Sequence, residues 1–292
     1  MKCVLLFSDK SSGSSALQRA LVKHPDIRTV EKTRHFYSET LYWNKAAALL
    51  EMEQAEMRYS ELPMSREKAR NDLYAILREN LPDWKPVKDD KATVFEGWRF
   101  LCEHYAPIFF EKSPHHLHYT SALELIRQFD NENSDIDFRY IGLVRNPIDT
   151  LYSMWQRWSA IPEKSQFEWL RAHRNLLDFQ QEVGEQLLIT RYEDLTAGPK
   201  AIQRVCEFIG IDWQKEIGSA LHRKSVQKWR NDNLFGFQPS KDVVEMAIQL
   251  GYDEKDLTVP NSLMWPIQRS VNQANFYFSS RFNTLKKALR GR

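Results

Sequence analysis

The feature that most constrains this chain is an early alternation. The apolar run Cys3-Val4-Leu5-Leu6-Phe7 breaks into Lys10-Ser11-Ser12-Gly13-Ser14-Ser15, and apolar residues then return at helical spacing as Leu17, Ala20 and Leu21. A continuous apolar run of strand length reads as a parallel strand buried on both faces. Small polar residues followed by a 3.6-residue period read as a loop opening a helix, with a serine expected at the N-cap. The same order recurs along the chain. Strands are expected near 27–30, 107–110, 138–144 and 187–190, and helices near 116–129, 148–158 and 199–209. Alternating strands and helices predict an α/β fold with a central parallel sheet flanked by helices on both faces. One domain is expected over 1–292, with a helical insertion at 45–82 broken at Pro63. That insertion is either a lid or acceptor-binding region, or a plain surface helical pair.

Charge narrows the partners. The 41 basic and 39 acidic residues leave a net charge of +2, so no overall field draws the chain to nucleic acid or to an anionic membrane, and any anion site must be local. No apolar stretch approaches the roughly 18 residues of a membrane span, and the first residues are too short an apolar run for a signal peptide. Cys3, Cys102 and Cys206 are widely spaced, without the paired spacing of a zinc or redox motif. A cytoplasmic protein with no membrane or nucleic-acid partner and no metal site is expected.

Two segments carry chemistry. In Lys10 to Ser15 a glycine lets backbone N–H groups converge, and the following helix presents its positive end to an anion. The alternative reading of those serines is a solvated turn. The loop lacks the Gly-Lys-Ser/Thr ending of a nucleotide-triphosphate P-loop, which counts against a kinase. In the second segment, Arg145 leaves the carboxyl end of the strongest strand and Ser153 follows within a helix. Open α/β sheets bind ligands at that end of their strands, and an arginine fork suits a phosphate. A helix cap or a surface ion pair is the competing explanation.

Together the segments LLFSDKSSGSSAL and YIGLVRNPIDTLYSMW resemble the paired donor-binding signatures of sulfotransferases that use 3′-phosphoadenosine 5′-phosphosulfate (PAPS). HPDI, EKTRHFY, FFEKSP, LLITRYEDL, VQKWRND and MAIQLGYD follow in the family's order, so the resemblance spans about residues 2–253. It implies a P-loop-like sulfotransferase architecture. It also implies that Ser12, Gly13, Ser14 and Ser15, with Ser11 beside them, hold the 5′-phosphosulfate, and that Arg145 and Ser153 hold the 3′-phosphate. Tyr192 would lie near the adenine, and Lys228, Trp229 and Arg230 would close over the nucleotide. For Tyr192 and Trp229 core packing is an equal alternative; for Lys228 and Arg230 a solvated basic face is.

The chain departs from the family in two places. The loop's basic residue normally stands two positions before the glycine, where this chain has Ser11; either Lys10 or Lys112 of the Glu-Lys-Ser-Pro segment supplies that charge. The Glu31-Lys32-Thr33-Arg34-His35 run resembles tyrosylprotein and carbohydrate sulfotransferases, yet the family's glutamate position falls on Lys32 or Thr33. Glu31, and next His35, are the expected general bases. His115, His116 and His118 are expected at the surface or lining the acceptor. The reaction implied is in-line sulfuryl transfer from PAPS to a hydroxyl or amine, leaving 3′-phosphoadenosine 5′-phosphate (PAP) and needing no metal. The implied acceptor is a small molecule or natural product. A P-loop kinase and an inactive nucleotide-binding relative are the alternatives.

Overall fold

The computed structural model describes residues 1–35, 38–58, 60–219 and 221–274, and they form two compact units: 1–145 with 171–223, and 146–170 with the described residues from 224 onward. The first unit holds the sheet. Strands β1 (Lys2–Ser8), β2 (Ile27–Arg28), β3 (Ile108–Lys112), β4 (Asp137–Val144) and β5 (Leu187–Arg191) pair in parallel in the order β2-β3-β1-β4-β5. The expected α/β architecture with a parallel central sheet is therefore present.

Strand β1 lies in the middle, and from Cys3 to Ser8 it is wholly buried, as a run of apolar residues without alternation predicts. Its Phe7 ring stacks on Tyr140 of β4 with centroids 5.6 Å apart, and it meets Phe179 edge-on at 5.3 Å. Register fixes the outlet of each strand. Leu6 stands opposite Lys112, Ser8 opposite Leu143, and Val144 opposite Arg191. Because all the pairings are parallel, the carboxyl ends of β1, β3, β4 and β5 open along one edge of the sheet, where such folds bind ligands.

Helices α1 (Ser14–Leu21), α2 (Tyr42–Leu49), α3 (Arg66–Asn80), α4 (Lys91–His104) and α5 (Thr120–Glu132) belong to this unit. The segment expected as a helical insertion resolves into α2 and α3 with irregular chain between them. Every residue of α2 is buried, so it is a core helix, not half of a surface pair. Its Trp43 packs at 5.0 Å from Trp98 and 5.8 Å from Phe129. Two of its polar residues make hydrogen bonds inside: Asn44 donates to the His115 carbonyl and Lys45 Nζ to the Thr40 carbonyl, at 3.1 and 2.7 Å. In α3 one face is buried through Ala69, Leu73, Ile76 and Leu77, and the Ser65 hydroxyl caps its start by accepting from Lys68 N–H.

The second unit opens with α6 (Pro147–Trp158), for which Asn146 Oδ1 accepts from the N–H of Ile148 at 2.9 Å and Pro147 sits in the first turn. Trp155 of α6 packs against Phe235 and Trp265, at 5.5 and 5.0 Å. Asp149 binds the N–H of Gln227 at 2.8 Å, and a short 3-10 turn, Lys228–Asn231, follows. Helix α11 (Lys241–Gln249) also lies in this unit; α7 (Pro162–Val183) leads to β5, and α8 (Tyr192–Ala197), α9 (Pro199–Ile209) and α10 (Lys215–Gly218) follow β5 in the first unit. No helix among the described residues is long and apolar enough to cross a membrane.

Candidate functional site

The turn after β1 is built by its backbone. Ser11 has φ +61° and Gly13 has φ +93°, so the chain passes twice through the left-handed region within three residues. Gly13, not a serine, is the N-cap of α1, and no side chain caps that helix. The expected serine cap fails for a steric reason. A Cβ at Gly13 would lie 2.3 Å from Cδ2 of Tyr192. Only glycine allows both this φ and this approach. The first helical bonds are made by Ala16 and Leu17 to the Gly13 carbonyl. The N–H groups of Ser14 and Ser15 precede them and have no carbonyl of their own helix to bind, which suits them to an anion.

Around the turn stand three cations. Lys10 is buried, with its Nζ 2.7 Å from the Arg58 carbonyl. Arg145, just past β4, donates from Nη1 to the Ser11 carbonyl at 2.8 Å and lies over the Tyr192 ring with its guanidinium carbon 5.0 Å from the centroid. Lys112 ends β3 fully buried, 3.3 Å from the Ser15 hydroxyl and paired with the Glu39 carboxylate. Of the two lysines offered for the missing loop charge, Lys112 lies within hydrogen-bond distance of a loop hydroxyl, that of Ser15, and Lys10 reaches the Arg58 carbonyl. Inside the turn, the Oγ atoms of Ser11 and Ser12 are buried without a hydrogen-bond partner among the described residues. Buried hydroxyls left unpaired beside the first N–H groups of a helix and several cations suit an oxyanion.

A layer of buried acids and imidazoles supports the turn. Asp9 Oδ1 accepts from the N–H of Lys10 at 2.7 Å and lies 2.9 Å from Nε2 of His118. Burial alone would raise the Asp9 pKa, but the His118 bond and the nearby lysine charge bring it below the ordinary carboxylate value. Glu111 accepts from the hydroxyl and N–H of Thr40 and from the Ser113 hydroxyl, and burial raises its pKa. His116 and His118 are fully buried, and burial presses the His116 pKa down to about 3. The expectation that the HHLH segment faces solvent or acceptor is corrected for these two. Asp9, Glu39 and Glu111 escaped the sequence reading because their partners His118, Lys112 and Thr40 stand about 70 to 110 residues away.

The two residues expected as general bases lie differently. Glu31 is exposed, and its backbone N–H donates to Asn80 Oδ1 and the Tyr105 hydroxyl, both at 3.1 Å. His35 Nε2 lies 3.1 Å from both Lys45 Nζ and Glu61 Oε1. Burial and the Lys45 charge lower its pKa, and burial takes Lys45 down to about 8. In the second unit, Ser153 is half-buried on α6, Trp229 is buried, and Lys228 and Arg230 are exposed; the Arg230 guanidinium lies 4.7 Å from the Trp229 ring centroid. Among the described residues, no group of three or more His, Cys, Asp or Glu side chains converges as a metal-ligand set.

Comparison with known proteins agrees with this geometry. A sequence model described as the Sulfotransferase family matches residues 9–215, which contain the turn, Lys112, Arg145 and Tyr192. No curated protein matches the chain significantly. Among solved structures, a sulfotransferase domain from the curacin biosynthetic pathway aligns over 86% of this chain and 98% of its own, with a TM-score of 0.56 and 16% identity. A sulfotransferase domain from the Synechococcus PCC 7002 olefin synthase aligns over 87% and 95%, with a TM-score of 0.59 and 17% identity. At such identities the likeness is one of fold. The family match over most of the chain is what assigns it: the chain belongs to the sulfotransferase family and is a transferase.

Proposed function

We propose that the protein transfers the sulfuryl group of PAPS to a hydroxyl, or an amine, of a small-molecule or natural-product acceptor. The observation that carries this reading is the turn at Ser11 to Ser15, with buried hydroxyls of Ser11 and Ser12 that lack a partner among the described residues, the first N–H groups of α1, and Lys112 beside Ser15. These groups fit a 5′-phosphosulfate, and Arg145, beside the turn, fits the 3′-phosphate that distinguishes this donor from other adenine nucleotides, with Ser153 as its expected partner. Tyr192 and the Lys228-Trp229-Arg230 turn remain the residues proposed to enclose the nucleoside. The donor supplies a good leaving group, a phosphate oxygen bonded to sulfur.

What the chain contributes is position and charge. The N–H groups of Ser14 and Ser15 stabilise negative charge on the transferring group, and each well-placed donor of this kind is worth about 3–4 kcal/mol in other enzymes. Lys112 or Lys10 balances charge developing on the bridging oxygen as the acceptor attacks in line. The acceptor's proton passes to a base on the segment that carries Glu31, His35 and Glu39. The chain's nine Trp, eleven Tyr and sixteen Phe allow an apolar acceptor pocket. An acceptor from natural-product chemistry is in keeping with structural neighbours drawn from the curacin pathway and an olefin synthase.

Incubation of the full chain with sulfur-labelled PAPS and a panel of phenols, alcohols and amines, with EDTA present, tests the reading. Label is expected in at least one organic acceptor without added metal. Consumption of ATP with magnesium, and none of PAPS, would place the protein among kinases instead.

A further inference from the structure

Lys112 has the Glu39 carboxylate and the Ser15 hydroxyl as neighbours. Its ammonium is fully buried, so it needs a counter-charge, and in the free chain Glu39 supplies it. The Ser15 hydroxyl, 3.3 Å away on the first turn of α1, marks the side on which a bound 5′-phosphosulfate would present a second negative charge. Glu39 itself is firmly placed. The Thr33 hydroxyl donates to its carbonyl at 2.5 Å, and the next residue, Thr40, is bound through its hydroxyl to the buried Glu111 at 2.7 Å. Burial raises the Glu39 pKa even against the pull of Lys112, so the carboxylate gains basicity as that pull weakens.

Resting on the PAPS reading above, we infer that Lys112 is shared between Glu39 and the donor, and that Glu39, released when the donor draws the lysine away, is the general base. The acceptor's O–H proton passes to the Glu39 carboxylate as the acceptor oxygen forms its bond to sulfur. The bond from sulfur to the bridging oxygen breaks, its electron pair stays on the 5′-phosphate, and Lys112 balances that charge. Without donor the ion pair occupies the base.

The sign of one binding effect separates this role from a structural one. If Lys112 must leave Glu39 to meet the donor, Glu39→Gln removes the competitor, and PAP is expected to bind about 5–10-fold more tightly, an ordinary coupling for close charges. If Glu39 merely holds Lys112 in place, the same variant loosens that lysine and weakens PAP. Adenosine 3′-monophosphate, which lacks the 5′-phosphate, is expected to bind wild type and variant equally. Turnover of PAPS with 2-naphthol as probe acceptor falls by about 100-fold or more, in the range of a lost general base. Unchanged or weaker PAP binding by Glu39→Gln overturns the proposal. Should that variant not fold, Glu39→Asp keeps the counter-charge and sets the carboxylate back by one methylene; PAP affinity is then expected to hold while turnover falls, and full turnover overturns the proposal. A wild-type chain that binds no PAP refutes the donor reading itself, which is a separate failure.

Discussion

Replacing Gly13 by alanine is expected to lower the melting temperature by about 5–10 °C and to abolish donor binding in whatever folds. Two costs add at this position. A residue with a Cβ pays about 1–2 kcal/mol to hold a left-handed backbone, and Gly13 has φ +93°. The new carbon would also overlap the Tyr192 ring at 2.3 Å, and overpacking of this kind costs about 1–3 kcal/mol. The two costs can be separated. In a Tyr192→Ala background only the backbone cost remains, so a double-mutant cycle by chemical denaturation should show Gly13→Ala costing about half as much as in the wild type. Equal cost in both backgrounds would mean that the ring does not press on the turn. The functional loss has a different origin: relief of either strain turns the N–H groups of Ser14 and Ser15 away from a common point.

Arg145→Ala should have the largest effect on binding with the smallest on folding. The guanidinium of this residue, the first after β4, donates to the Ser11 carbonyl at 2.8 Å and lies over Tyr192. It is thus aimed before any ligand arrives, and an aimed arginine loses little freedom on binding phosphate. Hydrogen bonds to charged groups contribute about 1.5–3 kcal/mol, so PAP affinity should fall by about 10–100-fold. The protection PAP gives against heat should disappear. Adenosine 5′-monophosphate lacks the 3′-phosphate and should lose much less, only what the Ser11 contact contributes to the shape of the turn. Equal losses for the two nucleotides in titration calorimetry would assign Arg145 to the turn alone. Arg145→Lys should recover little, because a point charge cannot serve the Ser11 carbonyl and a phosphate as a fork does.

What the sequence made legible was local. The run from Cys3 to Phe7 could only be a buried strand, and Gly13 among serines could only be a turn before a helix; both are where the apolar pattern put them. Arg145 was legible because it follows the strongest strand. The buried character of α2 was not. Its Asn44 and Lys45 carry no apolar pattern, and the contacts that Asn44 and Lys45 make with the carbonyls of His115 and Thr40 leave no trace in the sequence. The Asp9–His118 pair and the Glu39–Lys112 pair were hidden for the same reason, since separations of 109 and 73 residues leave no periodic trace. Lys112 is legible as a replacement for the displaced loop charge, but Glu39 carries no motif and stands two residues beyond the EKTRHFY run. The departure from the family at Lys32 and Thr33 was the signal available: a missing glutamate directs attention to the next one on the same segment.

The central claim is that the turn at Ser11 to Ser15 and the adjoining Arg145 form a site for a nucleotide phosphorylated at both its 3′ and 5′ positions. Calorimetric titration of the full chain with PAP, in buffer containing EDTA, tests it most directly. Saturable one-to-one binding with a dissociation constant of micromolar order, corresponding to about 8 kcal/mol, and at least tenfold weaker binding of adenosine 5′-monophosphate is the result predicted. Equal affinity for the two nucleotides, or no binding of PAP at millimolar concentration, would contradict it.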